Sequence, residues 1–67
     1  MIEITVNGKR REIDDGLDIT GLLQALAIDA RAVAVARNGE VVRRTAYEET
    51  ALREGDSVEI VRMVGGG

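Results

Sequence analysis

The most unusual chemical feature of this chain is a run of three glycines, Gly65, Gly66 and Gly67, which follows an apolar, β-branched segment. Glycine has no Cβ and reaches backbone angles closed to other residues, so such a tail can thread a narrow cleft and present a terminal carboxylate there. Ordering it costs about 1–2 kcal/mol of backbone entropy per residue, and the tail has no side chains to offset that cost. The alternative is an idle, frayed end.

The remaining residues offer few groups for catalysis. Histidine and cysteine are absent, which removes the usual general base, the usual nucleophile and the usual zinc and iron–sulfur ligands. The carboxylate pairs Asp14-Asp15 and Glu48-Glu49 are best explained by solvation or capping, and no glycine spacing matches a phosphate-binding loop. We therefore expect a protein that is not an enzyme and that binds no metal or cofactor itself.

By elimination, the reactive group is the carboxylate of Gly67. An unactivated carboxylate is a poor acyl donor, so a partner would have to adenylate it with ATP. A sulfur, oxygen or nitrogen nucleophile would then displace AMP. In this interpretation the chain is a substrate and carrier, and Gly65 and Gly66 make the tail slim enough to enter the active site of a partner.

Composition limits the class of protein. The 67 residues suffice for one small domain, and 45% of them are hydrophobic, which favours a folded core. A net charge of −3 and a single aromatic residue, Tyr47, argue against nucleic-acid binding. The sequence shows no signal peptide and no membrane-spanning segment, so we expect a cytoplasmic protein that is monomeric when free. The basic runs at 9–11 and 43–44 are solvated faces or contacts for an acidic patch on a partner.

Hydrophobic periodicity predicts a hairpin followed by a helix. Residues 2–6 alternate between apolar and polar side chains, and Asn7-Gly8 favours a type I′ turn that leads into a second strand at 9–13. Asp18 is a candidate N-cap. The helical stripe that follows contains Ile19, Leu22, Leu23 and Leu26. Gly21 weakens this helix, which indicates either close packing or tolerance.

The second half of the chain predicts another hairpin and a final strand. Residues 32–36 are apolar on both faces, which is typical of a strand inside a sheet. Asn38-Gly39 then returns the chain through residues 40–42. Gly55-Asp56 turns it into the last strand, at 57–63.

This order predicts an α+β fold of the β-grasp type. One main helix would pack on one face of a small mixed sheet of four to five strands, and the crossover helix would let the last strand join the first hairpin. The domain would span residues 1–64, with residues 65–67 as a flexible glycine tail.

The last strand suggests where a partner docks. If Val58 and Ile60 face the helix, Val61 and Met63 lie on the opposite face, because side chains alternate along a strand. The predicted docking residues are therefore Val61, Met63 and Val64. A β-bulge would instead return Val61 and Met63 to the core, and the sequence leaves both arrangements open.

With this order of elements and its glycine ending, the chain resembles the short ubiquitin-like sulfur carriers, and among them the ThiS family of thiamine biosynthesis. The resemblance covers nearly the whole chain. It depends on Val6-Asn7-Gly8, Leu22-Leu23, Val33-Ala34-Val35 before Asn38-Gly39, Gly55-Asp56 and the ending Val64-Gly65-Gly66-Gly67. It implies that Gly67 is adenylated by a ThiF-like adenylyltransferase and converted to a thiocarboxylate, whose sulfur passes to the forming thiazole on thiazole synthase. The sulfur would come from a persulfide or another sulfur donor.

The sequence leaves three other hypotheses open. The small subunit of molybdopterin synthase is similar in fold and also uses a terminal thiocarboxylate, but its members tend to carry Phe and Pro before the diglycine. This chain contains neither. The activated carboxylate could also acylate lysines, as in a ubiquitin-like modifier, or the tail could be idle on a noncovalent binding module.

Overall fold

The computed structural model describes residues 1–63, so the predictions for Val64 and for the three glycines lie outside the described residues. Within that range the chain forms five strands, one α-helix and two 3-10 helices. The regular elements are β1 (Ile2–Val6), β2 (Lys9–Ile13), α1 (Ile19–Ala25), β3 (Val33–Arg37), β4 (Glu40–Val42) and β5 (Ser57–Arg62). The 3-10 helices cover Ala30–Ala32 and Arg44–Glu49.

The strands form one mixed sheet in the order β2-β1-β5-β3-β4. β5 lies at its centre, parallel to β1 on one side and antiparallel to β3 on the other. The predicted return of the last strand to the first hairpin is therefore confirmed, as is the β-grasp arrangement with α1 packed on one face. β3 is an interior strand, as its apolar faces predicted.

Both hairpins turn through the predicted Asn-Gly pairs. Asn7 and Gly8 have φ values of 51° and 82°, and Asn38 and Gly39 have 51° and 85°. Positive φ at both central residues is the requirement of a type I′ turn, whose twist matches that of the flanking strands. The sequence thus set the register of both hairpins.

The helix begins where the sequence placed it. The Asp18 carboxylate accepts a hydrogen bond from the Gly21 backbone N–H at 2.7 Å, so the predicted N-cap is confirmed. A Cβ on Gly21 would lie 2.5 Å from Leu17 Cδ1. Of the two explanations for this glycine, the structure supports close packing.

Three strand boundaries differ from the predictions. β3 begins at Val33 rather than Ala32, because the Asp29 carboxylate accepts a hydrogen bond from the Arg31 N–H and caps a 3-10 helix that includes Ala32. β3 ends at Arg37 rather than Ala36, and β5 ends at Arg62 rather than Met63. All three changes are of one residue, and none alters which face a side chain occupies.

The core lies between the sheet and α1. Its buried apolar side chains are Ile4, Ile13, Ile19, Leu22, Leu23, Val33, Val35, Tyr47, Leu52 and Val58. Tyr47 is brought into this core by the second 3-10 helix. Across residues 1–63, no helix has the length and apolar character needed to cross a bilayer.

Candidate docking face and the end of strand β5

β5 has one buried face and one exposed face. Val58 is fully buried and Ile60 is partly buried against the core, whereas Val61 and Met63 are 61% and 58% exposed. The pairing of β5 with β3 runs without interruption from Val58 to Arg62, one residue against one. There is no β-bulge in this stretch, so the alternative that returned Val61 and Met63 to the core is wrong.

The exposed apolar surface extends beyond the predicted residues. Val61 lies opposite Ala34 on β3, and Ala36 lies opposite Val41 on β4, so these four side chains share the face away from the helix. Val41 is 78% exposed. We call Ala34, Ala36, Val41, Val61 and Met63 the outer-face patch.

Sequence reasoning missed Val41 as a member of this patch. The signal was present, because the Asn38-Gly39 turn fixes the hairpin register and thereby places Val41 opposite Ala36. The two alanines keep the surface between Val41 and Val61 low. The patch therefore has two protruding valines separated by a shallow strip.

Asn7 holds the second half of β5 in place. Its Oδ1 accepts a hydrogen bond from the Ile60 N–H at 2.7 Å, and its Nδ2 donates to the Ile60 carbonyl at 3.2 Å. β1 pairs with β5 only as far as Val58. The Asn7 amide therefore continues the ladder where β1 has turned away, a role that the sequence, which explained Asn7 by its turn, did not indicate.

Asp56 anchors the start of β5. Its buried carboxylate accepts hydrogen bonds from Arg37 Nε at 2.8 Å, from Asn38 Nδ2 at 3.0 Å and from the Arg53 N–H at 2.9 Å. Asn38 Oδ1 in turn accepts a hydrogen bond from the Ser57 N–H at 2.9 Å. This network ties the second hairpin turn to the turn before β5.

The ionisation of Asp56 follows from these contacts. Burial by itself opposes the charged form, but the hydrogen bonds from Arg53, Asn38 and Arg37 outweigh it, so the pKa of the Asp56 carboxyl lies below its ordinary value of 3.8. The group is fully satisfied and remote from the end of β5. Its role is structural.

Two grooves border the end of β5. Arg62 lines a groove of about 360 Å³ on the helix side, together with Val6, Asn7, Leu26, Ile28, Val33 and Ile60. Met63 lines the other, together with Ala30, Val33, Ala34, Val42, Arg44 and Tyr47. Val33 is common to both, so the last described residues lie between a groove with Arg62 and a groove with Arg44.

The other polar residues considered from the sequence form no reactive cluster in the described range. Asp15 pairs with the N-terminal amino group at 3.2 Å on the surface, and Glu48 and Glu49 are exposed on the second 3-10 helix. Within residues 1–63 no group of three metal-capable side chains comes together. What the arrangement offers is therefore a surface and the end of a central strand, beyond which the four remaining residues lie.

Comparison with known proteins places this arrangement in a family. The model of the ThiS family matches residues 4–67. The sulfur carrier protein ThiS of Bacillus subtilis is 36% identical over 66 residues, an alignment that covers 96% of this chain and 98% of that protein. The crystal structure of the thiamine biosynthesis protein ThiS from Geobacter metallireducens has 42% identity and a TM-score of 0.86, covering 98% of this chain and 100% of that one.

Longer proteins also match. A thiazole synthase of Paramagnetospirillum magneticum is 38% identical over 66 residues, which is 98% of this chain but 20% of that protein. This chain therefore spans about a fifth of the length of such relatives. The family match covers nearly all of the sequence, including the outer-face patch and the glycines, and the chain belongs to the ThiS family.

Proposed function

We propose that this chain acts in the cytoplasm as the sulfur carrier of thiamine biosynthesis, and that the carboxylate of Gly67 carries the sulfur. The observation that supports this most strongly is the end-to-end similarity to the Bacillus subtilis sulfur carrier protein ThiS. The absence of histidine and cysteine agrees with a carrier that relies on partners for its chemistry.

The proposed chemistry has three steps, all on partner proteins, and ends with transfer of the sulfur. A ThiF-like adenylyltransferase binds ATP, the Gly67 carboxylate attacks the α-phosphate, and pyrophosphate leaves. The terminal sulfur of a partner's persulfide then attacks the acyl carbon and AMP leaves. A thiol cleaves the resulting acyl disulfide, which frees the thiocarboxylate for transfer to the forming thiazole on thiazole synthase.

In this proposal the folded body supplies the docking energy. The glycine tail loses backbone entropy on entering a cleft and has no side chains to bury. The outer-face patch can offset that cost, because burying a valine contributes about 1.5–3 kcal/mol. Val61 and Met63, together with Val64, which follows them in the sequence, are the proposed centre of the contact, and Val41 extends it to β4.

The proposal is tested by incubating the purified chain with ATP, its adenylyltransferase and a persulfide donor, and then measuring its intact mass. We expect replacement of one oxygen by sulfur at the C-terminus. An unchanged mass, with the adenylyltransferase active on another carrier, would contradict the proposal. The control chain carries one extra residue after Gly67, keeps the same fold by circular dichroism and is expected to stay unmodified.

A second stage of the same experiment separates the pathways. The thiocarboxylated chain is added to thiazole synthase or to the large subunit of molybdopterin synthase, each with the substrates that accept the sulfur, and loss of its sulfur is followed by mass. We expect sulfur loss with thiazole synthase alone. Isopeptide conjugates that persist in cell extract would instead identify a protein modifier.

A further inference from the structure

Two arginines flank the end of β5. Arg62 is the last residue of the strand and lines the groove on the helix side, and Arg44 lines the groove that contains Met63. The two grooves share Val33. We call Arg44 and Arg62 the arginine pair.

The arginine pair has no acidic partner within ion-pair distance in the described part of the chain. The Asp29 carboxylate is near enough to Arg44 for their charges to attract. It is already bound by Arg31, however, which donates from Nε and from the terminal nitrogen at 3.2 Å each. Arg43, the neighbour of Arg44, lines a separate groove with Glu40. The charge at the end of β5 is therefore locally positive.

Seven of the twelve acidic residues lie at the opposite end of the sheet. The β-ladder places the start of β1, the end of β2, the start of β5 and the second hairpin turn at that end. The acidic residues there are Glu3, Glu12, Asp14, Asp15, Glu40, Glu54 and Asp56. A chain with a net charge of −3 thus presents positive charge at the end of the strand that leads to Gly67.

We propose that the arginine pair recognises acidic side chains on the adenylyltransferase that receives the tail, at the mouth of its active-site cleft. This rests on the proposed function, since it assumes that such a partner exists. Opposite charges at the rim of an interface steer the encounter and fix its orientation more than they add affinity. The pair would turn the tail end of the molecule, rather than its acidic end, toward the cleft.

Distance favours a partner protein over the phosphates of ATP. The four residues after Met63 span at most about 14 Å when extended, and a narrow cleft requires an extended tail. Arg44 and Arg62 would then lie well outside the position where Gly67 reacts. A nucleic acid is disfavoured because the acidic end would repel phosphates outside so small a positive patch.

The test measures kcat and KM of the adenylyltransferase for the whole chain as substrate, at low and high ionic strength. The double variant R44Q/R62Q is compared with the wild type and with R53Q, which removes an exposed arginine at the acidic end. R44K/R62K restores the charge. Circular dichroism and thermal transitions check that each variant is folded, and the single variants R44Q and R62Q supply the readout if the double variant is not.

We expect the double variant to raise KM about tenfold at low salt with kcat unchanged, and less than threefold at high salt. R53Q and R44K/R62K should stay within about twofold of the wild type. Equal KM values for the double variant and the wild type would overturn the inference. So would an equal loss in R53Q, or a fall in kcat with KM unchanged, which would place the arginines near the reacting atoms.

Two further outcomes would also overturn it. Binding of the wild type to a single-stranded oligonucleotide at physiological salt, abolished in R44Q/R62Q, would identify a nucleic-acid site. A wild-type chain that the adenylyltransferase does not modify at all would refute the proposed function itself. That result is distinguished from failure of the arginine pair alone, in which the wild type reacts and the variants react equally well.

Discussion

The two faces of the central strand differ in what they contact. On the inner face, Val58 is fully buried under α1 and Val35 beside it is 1% exposed. On the outer face, Val61 and Val41 are 61% and 78% exposed with no element of the described chain over them. All four of these residues are valines, whose β-branched side chains favour a strand, so local propensity does not separate the two faces.

The difference shows that the sheet serves two purposes at once. In a domain this small the inner face must provide most of the stability, because the chain buries only about 60% of its unfolded surface. The outer face is then free to carry apolar side chains for a partner. Substitutions on the inner face should lower the free energy of unfolding, and those on the outer face should weaken docking while the fold remains.

Truncation of a helix side chain that is buried against the inner face should have the largest effect. Leu23 is 1% exposed, and Leu23→Ala should lower the free energy of unfolding by about 2–5 kcal/mol through lost burial and the cavity that remains. Urea denaturation followed by circular dichroism measures this. The outer-face control Val61→Ala should change it by less than about 0.5 kcal/mol. Equal losses in the two variants would refute the division between the faces.

A charge on the outer face should impair docking next. Val61→Glu should raise the KM of the adenylyltransferase about thirtyfold, which corresponds to about 2 kcal/mol, because a central apolar contact is replaced by a carboxylate that must be desolvated. The urea midpoint should remain that of the wild type. A matched variant, Thr5→Glu, places the same charge on the same face but on β1, outside the patch, and should leave KM unchanged. Equal KM values for the two variants would show that the adenylyltransferase docks on a surface other than the outer-face patch.

Acid should weaken the anchor of β5. The lowered pKa of Asp56 means that its carboxylate stabilises the folded chain above pH 3.8, and that this contribution is lost as the pH falls through the lower folded-state pKa. Asp56→Asn should therefore cost about 1–3 kcal/mol at neutral pH and flatten the fall in unfolding free energy below pH 3.8. Urea titrations across this range measure both effects. If the free energy of unfolding falls with pH equally steeply in the variant and the wild type, Asp56 does not contribute to the acid sensitivity of the fold.

The smallest effect should come from Gly21. Alanine normally stabilises a helix by about 1 kcal/mol relative to glycine, but here its Cβ would lie 2.5 Å from Leu17 Cδ1 and 3.1 Å from Cγ. We expect the two terms to cancel to within about 0.5 kcal/mol. The double variant Gly21→Ala, Leu17→Ala removes the clash and shows whether alanine at position 21 raises the free energy of unfolding. A full gain in the single variant would show that Leu17 moves away at no cost.

Much of the fold could be predicted because short-range chemistry set it. The Asn7-Gly8 and Asn38-Gly39 turns, the Asp18 cap and the alternation along β5 each depend on residues within a few positions of one another. They gave the element order, both hairpin registers and the face of Val61. From these the β-grasp arrangement followed.

The contacts that could not be predicted join residues far apart in the chain. Asn7 pairs with Ile60, and Asp56 with Arg37, only because the crossover brings β1 and β3 to either side of β5. The local pattern explained Asn7 completely as a turn residue, so nothing pointed to its second role. The burial of Tyr47 likewise depends on the second 3-10 helix, which has no hydrophobic periodicity of its own.

The proposed function depends most on the chemical state of Gly67 in the cell. The most direct measurement is the intact mass of the protein isolated from its own organism during thiamine starvation, followed by fragmentation from the C-terminus. We predict a fraction that ends at Gly67 with a thiocarboxylate, and that loses its sulfur when thiazole synthase and the substrates of the thiazole ring are added. A chain that continues past Gly67, or that ends there only as a carboxylate or an isopeptide conjugate, would contradict the account.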